Sequence, residues 1–458
     1  MTSVLLIYPF FLTRRDRSVF RFPPLGISYL AASLRQAGHD VHVLDCTFLD
    51  RTEALQKALA VGAEVVGIYC MVSMTDECQW FAQQLRPHCR LLIAGGPLPT
   101  CDPEPFLDSF DVVVCGEGEQ TMLELLRQHA DGLGPAGIAG TVYRLAASDA
   151  SVDGKGAVVH APARTFAKRL DEIPFPARDL LPNADYIRYG RKKHGYSITT
   201  VMSTRGCPFR CEFCSNVVFG GSYRERSPEN VVDEVEAALG LGYDRMSFAD
   251  DVFTMKRERV VAVCREIRRR GLRFHWECLG RVDALDEATA REMQEAGCTR
   301  IFFGIESGSD SILELMQKRI TTGQARRAVQ AAHAAGLQVG AFFILCYPGD
   351  TDDTVLKTLR FATDLPLDYV GLSMPYPLPG TDLYKRTRDR ITRDWHPDDS
   401  PFGGHVLIVD AGFSQAKTWF AILKGHAQFE IKRRAGPWTP ILLAPFEKAT
   451  DLVFRMLR

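Results

Sequence analysis

A chain of 458 residues is too long for one compact core, so two or three domains are expected. With 46% hydrophobic and 24% charged residues, it has the composition of an ordinary soluble globular protein. Its 55 basic and 56 acidic side chains leave a formal charge of −1, which argues against a nucleic-acid partner held by a general basic field, and no apolar run reaches the ~18–20 residues that cross a bilayer.

The N-terminus, MTSVLLIYPFFLTRRDR, places its apolar stretch ahead of its charges. A secretory signal has the reverse order, so this segment reads as a first strand. Apolar runs at 4–10, 40–45, 65–70, 90–96 and 111–119 read as buried parallel strands, and 25–38, 52–63 and 75–87 carry helical spacing with Gly or Pro stops. This alternation predicts a doubly wound, Rossmann-like α/β domain over 1–145. Ligands of such sheets bind beyond the carboxyl ends of the strands. Those ends carry the Cys70 to Thr75 segment with Ser73, then GGPLPT with Gly95, Gly96 and Thr100, then GEGEQT with Gly116, Glu117 and Gly118. The glycines can serve as plain turns or as points of close backbone approach to a ligand. Residues 146–190, rich in Ala, Ser, Gly, Asp and Pro, read as a surface linker.

A second rhythm follows. Strand candidates at 197–203, 244–250, 273–278, 299–306, 338–346 and 369–374 are separated by helical segments. Six such units predict a partial (β/α)6 barrel of the TIM type over 191–404, with functional groups at the strand carboxyl ends. Asp250-Asp251 closes its second strand, Glu306 and Ser307 its fourth and Pro348 follows its fifth. Taken alone, the acids could be a solvated strand end or an ion-pair partner; Arg281, Tyr376 and His275 stay open between substrate contact and packing. The remainder, 405–458, predicts a mostly helical extension with a basic patch at 432–436 and an amphipathic ending. Packing of this segment on the barrel is favoured over membrane contact.

Thirteen scattered cysteines in such a chain are not a disulfide framework and suit a reducing, cytoplasmic setting. Only Cys207, Cys211 and Cys214, in RGCPFRCEFCSN, have ligand-like spacing. Structural zinc takes four ligands, and no second pair or nearby histidine completes such a site. Three thiolates can instead bind three irons of a 4Fe–4S cluster and leave the fourth iron open.

C-x3-C-x2-C with Phe213 before the last cysteine, after the first strand of a barrel, resembles the radical S-adenosylmethionine (SAM) superfamily. SFADDVFT, FFGIESGSD, FFILCYPGDT and PYPLPGTDLY resemble the family's later strand segments, with Cys346 in place of a usual Gly and Asp350 in place of Glu. Upstream, PPLGISYLAASLRQAGHDVHVLD, AGGPLPT and VVVCGEGEQTMLELL resemble the cobalamin-binding domain of one large class of that superfamily, and the two resemblances together span about residues 1–400. They imply that Cys207, Cys211 and Cys214 ligate a 4Fe–4S cluster, that Asp250, Glu306, Ser307, Phe213 and Pro348 lie against SAM, with Asp250 taking its ammonium, and that the strand-end loops of the first domain hold cobalamin. D-V-H-V-L-D (40–45) approximates a cobalt-ligating histidine signature but lacks its Gly, so His42 is expected to be structural; Leu98 stands where a histidine is usual. The implied activity is a cobalamin-dependent radical SAM enzyme, most simply a C-methyltransferase: SAM cleaved at the cluster gives a 5′-deoxyadenosyl radical, and methylcobalamin supplies the methyl group to an unactivated carbon. Radical cyclisation, ring contraction or oxidation without methyl transfer, and tRNA modification, are the alternatives. The expected substrate is a small molecule of the natural-product, tetrapyrrole or lipid class, with an electron donor such as flavodoxin or ferredoxin and no nucleic acid.

Overall fold

The computed structural model describes residues 1–12, 21–145, 156–392 and 407–457. Residues 146–155 of the linker and the 404/405 boundary lie outside the described residues. The chain forms two compact units, and neither is continuous in sequence. One comprises Met1–Thr200, Asn216–Arg226 and Gly240–Tyr243; the other comprises Val201–Ser215, Ser227–Leu239 and Asp244–Arg458.

The first unit is built on a seven-stranded sheet in the order Asp40–Asp45, Ser3–Tyr8, Val65–Tyr69, Leu91–Gly95, Val112–Val114, Thr141–Arg144, Val158–His160. Its first five strands are parallel and are those expected from their apolar runs. Residues such as Val4, Val65, Leu92 and Val112 are fully buried because helices cover both faces, and two separate apolar clusters form there. The last two strands pair antiparallel, and the final one comes from the segment read as a linker.

That segment is a packed part of the unit. The buried Arg178 donates to Thr199 Oγ1 at 2.9 Å and to the Thr200 carbonyl at 2.6 Å. The Tyr186 hydroxyl, on the helix Asn183–His194, donates to Asp45 Oδ2 at 2.7 Å. The two compact units part at 200/201, within the strand Ile198–Val201. Asn216–Arg226 joins the same unit through Arg224, whose guanidinium donates to Glu117 Oε1 at 2.7 Å with both side chains buried.

A second sheet has six strands in chain order, Ile198–Val201, Arg245–Phe248, His275–Gly280, Cys298–Glu306, Gln338–Ile344 and Tyr369–Ser373, and the five from Arg245–Phe248 onward are parallel. This is the expected partial barrel, its strand order open at both ends. Helices Pro228–Gly240, Arg257–Arg269, Glu287–Glu295, Thr322–Ala334 and Asp352–Asp364 link the strands, the last two opened by capping boxes. The tail forms two helices, Gln415–Ala435 and Thr439–Met456, and the first packs on Tyr369–Ser373 and Asp352–Asp364. Among the described residues no helix is long and apolar enough to cross a membrane.

Among the described residues four non-glycine residues adopt left-handed backbone: Glu306 (φ 70), Gln317 (φ 53), Arg319 (φ 54) and Cys346 (φ 58). Glu306 ends a barrel strand and the other three lie in segments that follow one, where strain clusters at functional sites. The unexpected cysteine at 346 thus occupies a position whose conformation suits glycine. A side chain there costs about 1–2 kcal/mol, partly offset by the contacts of the buried thiol. Cys346→Ala is expected to lower the melting temperature more than Cys346→Gly, the reverse of the usual order of these two residues, and thermal unfolding of both variants measures this.

Candidate active site

The three-cysteine loop follows the first barrel strand and is fixed by Glu212, which lies between Cys211 and Cys214. Its amide donates to the Met316 carbonyl at 3.0 Å, and its carbonyl accepts from the Leu383 amide at 2.9 Å. Its buried carboxylate accepts from the Tyr347 hydroxyl at 2.5 Å and from Arg386 Nε and Nη2 at 2.5 and 3.0 Å. Arg386 also donates to the Pro348 carbonyl at 3.4 Å, which places Pro348 behind the loop. Phe213 packs against Ile312, Met316, Tyr347 and Leu383, so its ring forms part of the floor.

The three thiols lie in mutual electrostatic range, and none is in a disulfide. Although Cys214 as a residue is exposed, protein atoms crowd its sulfur. Burial, then Cys211, Asp251 and Cys207, push its thiol up to about 12, and Lys318 offsets part of this. Burial likewise raises Cys207, opposed in part by Arg281. Two buried cations thus face the sulfurs. Arg281 stacks on Phe209 with its guanidinium carbon 3.4 Å from the ring centroid, pairs with Asp283 at 2.9 Å and donates to the Lys318 carbonyl at 3.1 Å. Lys318 donates to Glu306 Oε1 at 2.9 Å, and its Nζ lies 5.6 Å from the Phe213 centroid. Burial opposes the ammonium charge, but Glu306 and the Cys211 sulfur outweigh it and hold Lys318 protonated.

Glu306 and Lys318 have made room for themselves. A Cβ on Gly304 would sit 2.3 Å from Glu306 Oε1 and 3.0 Å from Lys318 Nζ, so any larger residue at that point of the strand would displace the ion pair. Lys318 itself is aimed by the left-handed residues on either side of it, Gln317 and Arg319.

Two strand-end residues are placed differently from expectation. The carboxylate of Asp250 is fully buried and taken up by the first strand's end: Oδ1 accepts from the Ser203 and Thr204 amides at 2.6 and 2.9 Å, and Oδ2 accepts from the Ser203 hydroxyl. Asp250 therefore anchors the chain entering the cysteine loop, and its neighbour Asp251 is the acid within electrostatic reach of Cys207 and Cys214. Ser307 is buried and shares a hydrogen bond of 3.1 Å with Thr358 Oγ1, while its Oγ accepts from the Ser309 amide. Its hydroxyl is used to seat the following helix.

In the first unit the glycine loops converge as the strand order requires. The Thr100 hydroxyl donates to the Gly96 carbonyl at 2.8 Å and accepts from the Gly116 amide at 3.0 Å, tying the two loops together. Gly96 has φ 109, and a Cβ there would lie 2.7 Å from the Cys70 carbonyl oxygen, so only glycine fits. A Cβ on Gly95 or Gly116 would meet no atom closer than 3.8 or 3.7 Å, and Ser73 lies in the short turn Val72–Met74 at the next strand end. Glu117 departs from expectation: its carboxylate accepts from Arg224 and from the Ala167 amide at 3.0 Å, a structural role just ahead of the helix that Gly118 begins. His42 lies exposed on the edge strand, 3.4 Å from Asp40, as a strand residue. Leu98 packs half-buried against the core. A cavity of about 760 Å³, lined by Asp45, Phe48, Asp179 and Tyr189, lies beside the edge strand.

The cofactor fit follows from these contacts. Among the described residues no three Cys, His, Asp or Glu side chains converge on a single metal ion. Three thiols around a shared space, faced by two buried cations, instead suit a polynuclear, negatively charged cluster. Side-chain-free backbone at Gly95, Gly96 and Gly116 suits a broad ligand that approaches the sheet edge closely.

Residues 201–362 match the radical SAM superfamily and residues 14–126 match the B12 binding domain. An uncharacterized methyltransferase of Pyrococcus horikoshii is 34% identical over 375 residues, covering 79% of this chain and 78% of its own. The anaerobic magnesium-protoporphyrin IX monomethyl ester cyclase of Rubrivivax gelatinosus is 28% identical over 404 residues, covering 85% and 70%. Among solved structures, the cobalamin-dependent SAM radical enzyme OxsB with aqua-cobalamin bound superposes with a TM-score of 0.74 at 17% identity, over 99% of this chain and 72% of that one, which shows the shared fold.

Removing the Glu212 carboxylate leaves Tyr347 and Arg386 without their acceptor, a loss of about 1–3 kcal/mol. Glu212→Ala is expected to lower stability by that order and to bind less iron and sulfide per chain on reconstitution, with Glu212→Gln intermediate; iron assay and urea unfolding test this. Behind the same loop, burial pushes the Asp350 carboxyl up to about 6 while it accepts from the Tyr347 amide and the Thr354 hydroxyl at 2.8 and 2.6 Å. Folding therefore favours its protonated form, so its contribution is full below its ordinary value of 3.8 and is lost as pH rises through about 6. Stability from urea unfolding should fall over that window by about 3 kcal/mol, and Asp350→Asn should flatten the fall.

Proposed function

The chain belongs to the radical SAM superfamily, in the branch that carries an N-terminal B12-binding domain, and on that premise we propose that it is a cobalamin-dependent C-methyltransferase of a small-molecule substrate. The observation that carries the reading is the meeting of three mutually interacting thiols with two buried cations at the carboxyl ends of barrel strands. When bound, the 4Fe–4S cluster, SAM and cobalamin supply reductive cleavage of SAM and a methyl carrier.

The chain's own part is positional and electrostatic. Cys207, Cys211 and Cys214 hold the cluster, and Glu212 fixes their loop against Tyr347 and Arg386. Arg281 and Lys318 offset the negative charge that accumulates at the sulfurs, in a setting where burial would otherwise oppose it. Asp251, together with Glu306 held by Lys318, provides the carboxylates at the rim against which SAM is oriented. Phe213 and Pro348 close the floor of that site. Ser73, Gly95, Gly96, Thr100 and Gly116 form the strand-end cradle for cobalamin, with Leu98 in place of a ligating histidine.

A tetrapyrrole, lipid or other natural product is the substrate class, and flavodoxin or ferredoxin supplies the electron. Thirteen cysteines, none in a disulfide, fit a cytoplasmic setting. A second reading, radical cyclisation without methyl transfer, is favoured by the cyclases among the relatives.

Anaerobic reconstitution with iron, sulfide, cobalamin, SAM and reductant tests the proposal. S-adenosylhomocysteine and 5′-deoxyadenosine together, with substrate gaining one CH2, are expected; 5′-deoxyadenosine without methyl gain supports cyclisation. Cys211→Ala should reduce 5′-deoxyadenosine to background, and undiminished output from that variant would sink the cluster assignment.

A further inference from the structure

The terminal helix Thr439–Met456 has an outward face that nothing in the second unit covers. Trp438, Ile441, Leu442, Leu452, Val453 and Met456 are all between 44% and 73% exposed. At 3.6 residues per turn the five helical members fall within an arc of about 120°, a continuous apolar stripe running the length of the helix, with Trp438 at its entrance. Six large apolar side chains gathered on one strip are not the scattered exposure normal for a surface. The opposite face is accounted for: Phe454 is fully buried, Glu447 accepts from Gln428 at 2.5 Å, and Asp451 lies 2.9 Å from Lys424 Nζ and also pairs with Arg360. Both acids of this helix are thus turned inward and engaged.

The charges left around the stripe are mostly basic. Lys448 and Arg455 line one edge of it, and Arg433 and Arg434 stand exposed before Trp438. These three arginines lean on Asp353 and Glu430, which leaves a surplus and not a balance. Over residues 415–457 there are seven Lys and Arg against three Asp and Glu, a net +4, in a chain whose total is −1. Trp419 and Leu423, one turn apart on the preceding helix, are exposed as well.

We propose that this helical hairpin docks the enzyme on an anionic lipid surface, with the stripe at the acyl boundary and the bases among the headgroups. An apolar strip bounded by cations and a tryptophan has the chemistry of an interfacial helix. A second copy of the chain meets this face poorly, because it would bring two net-positive hairpins together.

Cosedimentation of the full-length reconstituted protein tests it, using vesicles of phosphatidylcholine alone and of phosphatidylcholine with phosphatidylglycerol at roughly 3:1. Binding is expected to the anionic vesicles, to weaken at about 0.5 M salt, and to fall at least about tenfold in the Ile441→Glu/Leu452→Glu variant. That variant should keep wild-type melting and 5′-deoxyadenosine output, which separates lost docking from lost folding or activity. The proposal is overturned if anionic vesicles are not bound, if neutral vesicles bind equally well, or if light scattering shows a dimer that the same double substitution dissociates.

Discussion

Three thiols held within electrostatic reach of one another repel as they ionise, and the barrel mouth is organised around that constraint. Glu212 meets it mechanically. Sitting between two of the cysteines, it ties its own amide, carbonyl and carboxylate to Met316, Leu383, Tyr347 and Arg386, which come from three later segments of the barrel. A loop with no regular structure is thereby set to the geometry of the strands beneath it. Arg281 and Lys318 meet the same constraint electrostatically, each buried and each partnered by an acid so that its charge survives.

The strained backbone belongs to the same arrangement. Glu306 leaves its strand in a left-handed turn at an irregularity in the pairing register, and Lys318 reaches it from between two more left-handed residues. Such conformations persist only where the surroundings over-determine them. Here the surroundings are the ion pair itself, the glycine at 304 that admits it, and the sulfur of Cys211 beyond.

How much of this was legible in the sequence differs by kind of signal. The barrel strands were legible because continuous apolar runs such as Gln338–Ile344 alternate with helices of clear period, and both are dictated by burial. The cysteine loop was legible from its spacing. Val158–His160 was not, since three residues in an Ala- and Gly-rich stretch carry no period of their own and are ordered by the strand beside them. Asp250 and Asp251 are adjacent acids just past a strand end, one buried and the other exposed, and sequence does not say which is which. Glu117 resembled a loop acid at a ligand site because its partner, Arg224, lies 107 residues away. Lys318 escaped notice for a related reason: the left-handed residues that aim it are Gln and Arg, which announce no turn.

The interleaving of the two units bears on how such a protein can be inherited. Asn216–Arg226, which begins one residue after the cysteine loop's last serine, supplies the arginine that neutralises Glu117 inside the sheet unit. A genetic crossover at 200/201, the obvious seam, would leave the buried carboxylate of the sheet unit dependent on the other parent's 216–226 segment for its counter-charge. Recombination between relatives is therefore penalised at that seam unless both pieces travel together. The sheet and the barrel are distinct compact units, yet because neither is continuous in sequence they are inherited as a single block.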